Sequence, residues 1–159
     1  MYKTYLLLGS NMGNSQQQLA MAIRRIARQI GKVIRQSSLY ATVAWGNPDQ
    51  PDFLNQVIIV ETKLTALQSI EIILNIEKKM GRVRSSKNAP RIIDIDILFF
   101  NKEIIAAKHL TVPHPQIENR RFVLVPLNEL SPNFIHPVCY KTIHWLLNDC
   151  ADTLNVKKF

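Results

Sequence analysis

Two aspartates interrupt an otherwise apolar run, "RIIDIDILFF" (91–100). On a strand, side chains alternate between faces, so Asp94 and Asp96 emerge on the same side, roughly 7 Å apart along the chain. Two anions placed together beside a hydrophobic core repel each other and resist desolvation, so the pair calls for positive charge. Hard oxygen donors on a rigid strand suit Mg²⁺, which favours carboxylates together with substrate phosphates, and a bound cation relieves the repulsion. Immediately upstream, "GRVRSSKNAPR" (81–91) carries Arg82, Arg84, Lys87 and Arg91 with no acid among them. Guanidinium groups grip phosphate oxygens bidentately and stay charged at any working pH. Acids and arginines together read as nucleotide–metal chemistry. The alternative is structural: an aspartate pair at a strand end, salt-bridged to Arg91, beside a solvated basic loop.

Further on, "VPHPQIENRRF" places His114 between two prolines and Arg120 and Arg121 before Phe122. Proline restricts φ and stiffens the segment, which suits presentation of a side chain to a ligand. Taken singly, His114 reads as a loop histidine bonded to backbone, and Phe53 and Phe122 as core aromatics. Trp45, in the proline-containing loop "WGNPDQPD", is more suggestive, because an indole covers planar ligands. "GSNMGN" lacks the Gly-Lys-Ser/Thr ending of a P-loop, and kinase and Rossmann fingerprints are missing too. Phosphoryl transfer would need another scaffold.

The elements that must position these groups follow from periodicity. "YKTYLLLG" reads as a strand ending at Gly9. Ser15 and Gln18 have capping-box spacing, and Leu19, Ile23, Ile26 and Ile30 mark an amphipathic helix stopped by Gly31. "KVIRQSSLYATVA" reads as a second strand and "FLNQVIIVET" as a third, with Phe53 and Asn55 on one face and Ile58 and Val60 on the other. A second helix opens at Thr65 with Gln68 three residues later, carries a stripe of Leu67, Ile70, Ile73 and Leu74, and ends at Gly81. Glu77 falls on that stripe, either emerging at the helix end or facing a site. "IIDIDILFF" is the fourth strand, and "EIIA" is expected to pair back on it as a hairpin. The proline-rich segment after residue 110 reads as loops and short elements, with "TIHWLLNDC" a last short helix. Strand, helix, strand, strand, helix, strand describes a ferredoxin-like βαββαβ α+β sandwich with a mainly antiparallel sheet, followed by a C-terminal extension. No linker or repeat interrupts residues 1–159, so one domain is expected.

Composition agrees with a globular domain: 47% hydrophobic and 20% charged residues. No apolar run approaches the ~20 residues of a membrane span, and the N-terminus reads as a strand rather than a signal peptide. Cys139 and Cys150 have no metal-like or redox-like spacing, which suits packing thiols in a reducing cytoplasm. A formal net charge of +8 favours an anionic partner.

These blocks resemble the 6-hydroxymethyl-7,8-dihydropterin pyrophosphokinase family of the folate pathway. "LLLGSN", "SSLYAT", "DQPDFLNQV", "GRVR", "PRIIDIDILFF" and "LTVPHPQIENRRFVLVPL" occur in that family's order and spacing, covering nearly the whole chain. The resemblance implies transfer of pyrophosphate from ATP to the pterin's hydroxymethyl oxygen, releasing AMP, by attack on the β-phosphorus. It assigns two Mg²⁺ ions to Asp94 and Asp96. Arg82 and Arg91 become the catalytic phosphate clamps. The other expected ATP contacts are Glu77 near the adenosine, Arg84, backbone at Ile97 for adenine, Thr111 and His114 at the triphosphate, and Arg120. For the pterin, Phe53 and Phe122 form an aromatic sandwich, Asn55 reads the polar edge, and backbone from Thr42 and Val43 to Trp45 assists, with Asp94 alongside. A cytoplasmic monomer without nucleic-acid or membrane partners is implied.

The chain departs from the family's pattern in places. Lys87, Asn88 and Ala89 stand where the family commonly has Arg-Trp-Gly, a stretch that helps seal the site. Trp45 stands where a smaller apolar residue is usual, His109 where an arginine can occur, and Leu74 where a polar residue can. These changes bear on rate and nucleotide contacts more than on reaction type. Two other readings are a homologue that binds pterin or ATP with impaired catalysis, and a ferredoxin-like RNA-binding module. The latter needs aromatic residues on the central strands, where this chain has two acids.

Overall fold

Apolar residues on both faces make β1 (Tyr2–Ser10) an interior strand: Leu6 and Leu8 point to one side of the sheet, Tyr5 and Leu7 to the other. The computed structural model describes residues 1–43, 49–83 and 89–159. In chain order β1 is followed by α1 (Ser15–Gln29), β2 (Gly31–Gln36), β3 (Tyr40–Thr42), β4 (Phe53–Thr62) and α2 (Ala66–Lys79). Then come β5 (Asp94–Phe100), β6 (Ile105–Ala107), β7 (Leu110–Val112), a 3₁₀ turn (Ile117–Asn119), α3 (Arg121–Leu130), α4 (Ile143–Asp149) and β8 (Val156–Lys158). The main sheet runs β5-β1-β4-β3-β8, with β2 also on β4, and a small hairpin joins β6 to β7. Each of these pairings is antiparallel. The expected mixture of helices with a mainly antiparallel sheet is found.

Each sheet face has its own core. Leu19 and Ile26 of α1 and Ile73 and Ile76 of α2 pack with Leu6, Leu8, Ile58, Val60, Ile95 and Ile97. Val123, Leu124 and Leu127 of α3 and Ile143 and Leu146 of α4 pack on Tyr5, Leu7, Val57, Ile59, Leu98 and Phe99. Cys139 and Cys150 are partly buried free thiols against this second core. α3 covers only part of its face. Beyond its first turn the strand ends lie uncovered, and there β1, β4 and β5 present Gly9, Asn55 and Asp94 in register.

Several boundaries differ from expectation for local reasons. The cap of α1 is Asn14, not Ser15: its side chain accepts from Gln17 N at 3.1 Å, and asparagine caps at least as well as serine. The stretch "KVIRQSSLYATVA" is two strands, because the Ser37 hydroxyl and amide both bond Val57 and turn the chain aside. The α2 capping box of Thr65 and Gln68 is present. Its buried stripe, however, is Ala66, Ser69, Ile73, Ile76 and Glu77, leaving Leu67 and Leu74 exposed. "EIIA" does not pair on β5; Ile105–Ala107 pairs with Leu110–Val112 instead. The proline-rich segment holds a ten-residue helix, α3, with Pro126 inside it. Val123, Leu127 and Leu130 there recur at steps of four and three, and burying that stripe outweighs the one backbone bond that proline removes. β8 was not expected.

Candidate active site

The arginine nearest the aspartates is placed by the way α2 ends. Gly81 adopts a φ of 92°, a left-handed conformation that costs glycine little. Gly81 N then bonds Lys78 O, and Arg82 N bonds Glu77 O, both at 3.0 Å, the two bonds of a Schellman motif. The turn folds Arg82 back over the last helical turn. Its Nη1 lies 2.7 Å from Glu77 Oε2 and 2.6 Å from Asp94 Oδ1. Glu77 is therefore not emerging at the helix end: it is buried, and Oε2 also accepts from Ile95 N at 2.8 Å. Arg91 Nη1 approaches the other Asp94 oxygen at 3.5 Å. Burial alone would lower the Arg82 guanidinium, but the charges of Asp94 and Glu77 outweigh it and hold it above its usual value.

Asp94 thus has arginine counter-charges on both oxygens, whereas no such ion pair to Asp96 is found among the described residues. Burial, followed by the charges of Asp94 and Glu77, pushes Asp96 up to about 7, against weaker opposition from Arg120 and Arg82. A carboxyl so destabilised as an anion, beside a second carboxylate, is a donor set suited to a hard divalent cation. The same fact sets a pH dependence. Folded Asp96 holds its proton up to about pH 7, the unfolded chain only to about 3.8. Its contribution to stability is full below pH 4 and is lost as pH rises through 7. Thermal melts in chelator should show the native protein losing more stability than Asp96→Asn between pH 5 and pH 8. Parallel curves for the two proteins would refute the shift.

Another part of the cleft is aromatic. Phe53 and Phe122 line it, with Arg91 Cζ 6.0 Å from the Phe53 ring centroid and Arg120 Cζ 5.8 Å from that of Phe122. Asn55 is buried and donates Nδ2 to Thr42 Oγ1 at 3.3 Å. Gly9, directly across from Asn55 on β1, leaves room for the amide: a Cβ there would stand 2.7 Å from Asn55 Oδ1. His114 N bonds Leu98 O on the outer edge of β5. Its ring Nδ1 accepts from Gln116 N at 3.1 Å, so the proton of the neutral ring sits on Nε2. Burial, then the Arg120 charge, lowers its basicity, favouring that neutral form.

One cleft of about 290 Å³ gathers Thr42, Val43, Phe53, Asn55, Arg82, Arg91, Asp94, Asp96, His114, Arg120 and Phe122. Three other residues singled out from the sequence do not line it. Glu77 stands behind Arg82. The Ile97 side chain lies in the core of the α1 and α2 face, and Thr111 is exposed on β7. Arg84, Trp45, Lys87 and Asn88 fall outside the described residues, and His109 and Leu74 are exposed. Leu7 and Gly9 also line the cleft and were missed, although alternation along β1 put both on the face shared by Asp96 and Asn55. A separate grouping of Glu118, His136 and Cys139 brings three potential ligand atoms within 4.8 Å of one another. His136 Nδ1 accepts from Val138 N and Cys139 N, each at 3.1 Å, which puts a proton rather than a lone pair on Nε2. That tautomer does not suit a metal.

The sequence pattern of one family, 7,8-dihydro-6-hydroxymethylpterin-pyrophosphokinase (HPPK), matches residues 5–132. A 2-amino-4-hydroxy-6-hydroxymethyldihydropteridine pyrophosphokinase of Methylorubrum extorquens is 40% identical over 136 residues, spanning 85% of this chain and 86% of that one. The protein of the same name from Aquifex aeolicus is 39% identical over 143 residues, spanning 90% and 89%. Among solved structures, wild-type HPPK-DHPS of Plasmodium falciparum superposes with a TM-score of 0.76 at 20% identity. The match covers 93% of this chain and 44% of that longer one, and it speaks for the fold alone.

Proposed function

The chain belongs to the 7,8-dihydro-6-hydroxymethylpterin-pyrophosphokinase family, and on that footing we propose that it transfers pyrophosphate from ATP to the hydroxymethyl oxygen of 6-hydroxymethyl-7,8-dihydropterin. AMP and the pterin pyrophosphate are the products, a step of folate biosynthesis. One observation carries the reading: a single cleft joins a wall for a flat heterocycle, Phe53, Phe122 and Asn55, to a wall for polyphosphate, Arg82, Arg91, Asp94 and Asp96. Nothing in an ordinary binding groove requires both.

Asp94 and Asp96 would hold two Mg²⁺ ions, which when bound polarise and align the ATP phosphates. The chain's own groups do the rest. Phe53 and Phe122 stack the pterin between them, and Asn55, steadied by Thr42, reads its polar edge with help from backbone at Val43. Fixing the bicycle aims its hydroxyl at the phosphate wall, turning a bimolecular encounter into an oriented one. Arg82 and Arg91 grip phosphate oxygens and neutralise charge that builds up in the transition state. Arg82 is aimed in advance by Glu77, so Glu77 serves the nucleotide side indirectly. His114 offers an Nε2–H to the triphosphate, beside Arg120. Backbone at Ile97, together with Thr111 and Arg84, completes the nucleotide side in this reading, and Trp45 the pterin side.

The strand order β5-β1-β4-β3 with two helices on one face supports the ferredoxin-like βαββαβ plan. In this reading residues 1–159 act as one domain, as a cytoplasmic monomer without a nucleic-acid partner. No helix among the described residues is long and apolar enough to cross a membrane. An RNA-binding role is disfavoured, because the uncovered sheet face carries two acids where stacking rings would be needed.

AMP formation from ATP and Mg²⁺, with and without the dihydropterin, tests the assignment. Pterin-dependent AMP is expected. Folded protein that makes none would point to a binding-only homologue, with residues 87 to 89 the first suspects. Gly9→Ala probes the heterocycle wall separately. Its methyl displaces the Asn55 carboxamide, and losing one hydrogen bond of roughly 1.4 kcal/mol should raise KM for the pterin about tenfold. KM for ATP should stay put; an equal rise in both would locate Asn55 elsewhere in the reaction.

A further inference from the structure

We infer that Asn11 is a positioning residue that couples the heterocycle wall of the cleft to its phosphate wall. The inference rests on the two-substrate reading above and adds a part that no cleft-lining residue supplies. Asn11 follows β1 directly and is buried, 3% exposed. Its backbone N donates to Arg91 O at 3.0 Å, and its Oδ1 accepts from Arg91 N at 2.8 Å, a two-point hold on the backbone of a phosphate-wall arginine. Its Nδ2 donates to Gln50 Oε1 at 2.9 Å and to Pro51 O at 3.1 Å, two residues before Phe53.

Only a short carboxamide has the groups for this arrangement. Aspartate would offer no donor to Pro51, serine could not span both sides, and an aliphatic side chain would take this partner from two partly buried backbone groups, Arg91 N and Pro51 O. The carboxamide is planar and rigid, so Oδ1 and Nδ2 cannot move independently. A phosphate that orders Arg91 therefore also orders the segment leading to Phe53, and a heterocycle that settles against Phe53 also steadies Arg91. The first ligand bound reduces what the second must order, which makes the two bindings mutually favourable.

Calorimetry of 6-hydroxymethyl-7,8-dihydropterin, with the protein alone and with the protein saturated in α,β-methylene-ATP and Mg²⁺, measures this directly. The ratio of the two dissociation constants is expected to be roughly 5- to 150-fold in the native protein. Asn11→Asp keeps the acceptor toward Arg91 N and removes both donors. The ratio should fall toward one, while the nucleotide analogue alone binds nearly as before. A merely structural asparagine would weaken both ligands and leave the ratio intact, and that result would overturn the inference. A native ratio of one would do the same. If Asn11→Asp does not fold, Gln50→Ala removes one partner without adding charge and should give an intermediate ratio; an unchanged ratio there also counts against coupling. Failure of the nucleotide analogue to bind, or of the pterin to bind even the analogue-saturated native protein, is a different result, and it would overturn the functional reading instead.

Discussion

Asp96→Ala is expected to reduce AMP formation by on the order of 10³-fold or more, the scale of losing a principal electrostatic group in an active site. The reasoning starts from charge balance. Asp94 is held by two arginines, whereas Asp96 has been left high in energy, its carboxyl pushed up to about 7 by burial and by its acidic neighbours. Above pH 7 the folded state gains no stability from such a group. Removing it should leave the melting temperature in chelator unchanged or raised at pH 8, while abolishing Mg²⁺-dependent turnover. Near-normal AMP production by this variant would take Asp96 out of the metal site. A collapsed melting temperature would mean that the carboxylate is structural after all.

Arg82→Ala should cost both stability and activity. The Arg82 and Glu77 side chains are only 9% and 4% exposed. Removing one partner of a buried pair strands the other charge and typically costs ~3–5 kcal/mol. Here the stranded group is Glu77, which would lose its 2.7 Å contact to Arg82 while keeping the Ile95 N–H. Urea denaturation at pH 8 should register that loss. Glu77→Gln in the Arg82→Ala background should restore much of the stability and none of the turnover. If the double variant is no more stable than the single one, the pair contributes through packing rather than charge.

How much of this was legible beforehand depended on the range of the interactions. Period-two alternation put Asp94 and Asp96 on one face and paired Phe53 with Asn55, and the cleft indeed receives all four. The Thr65 capping box was legible because its bonds span three residues. α3 was hidden by Pro126, since a proline rule speaks of the missing N–H and is silent on the core that can outweigh it. The burial of Glu77 was settled by a partner twelve residues beyond Arg82, and the role of Asn11 by contacts 39 to 80 residues away. Neither has a local signature in the sequence. Homology supplied the reaction; geometry supplied the reason that Asp94 tolerates its neighbour.

The short strand β8 has a bearing on how the protein keeps in solution. It lies along β3, Val156 against Thr42 and Lys158 against Tyr40, and Phe159 N reaches Leu39 O at 2.8 Å. All of it falls outside the stretch that defines the family. Without these residues β3 would present a row of unmet N–H and C=O groups, an adhesive border that invites strands from other molecules. In their place the sheet shows the surroundings a three-residue strip bearing Lys157 and Lys158, too short and too charged to recruit a neighbour. Because Thr42 and Val43 stand at the cleft, the chain trimmed after Asn155 would clump beside the wall proposed to take the pterin. Shelf life and substrate affinity would fail together, through a few residues that do not line the cleft.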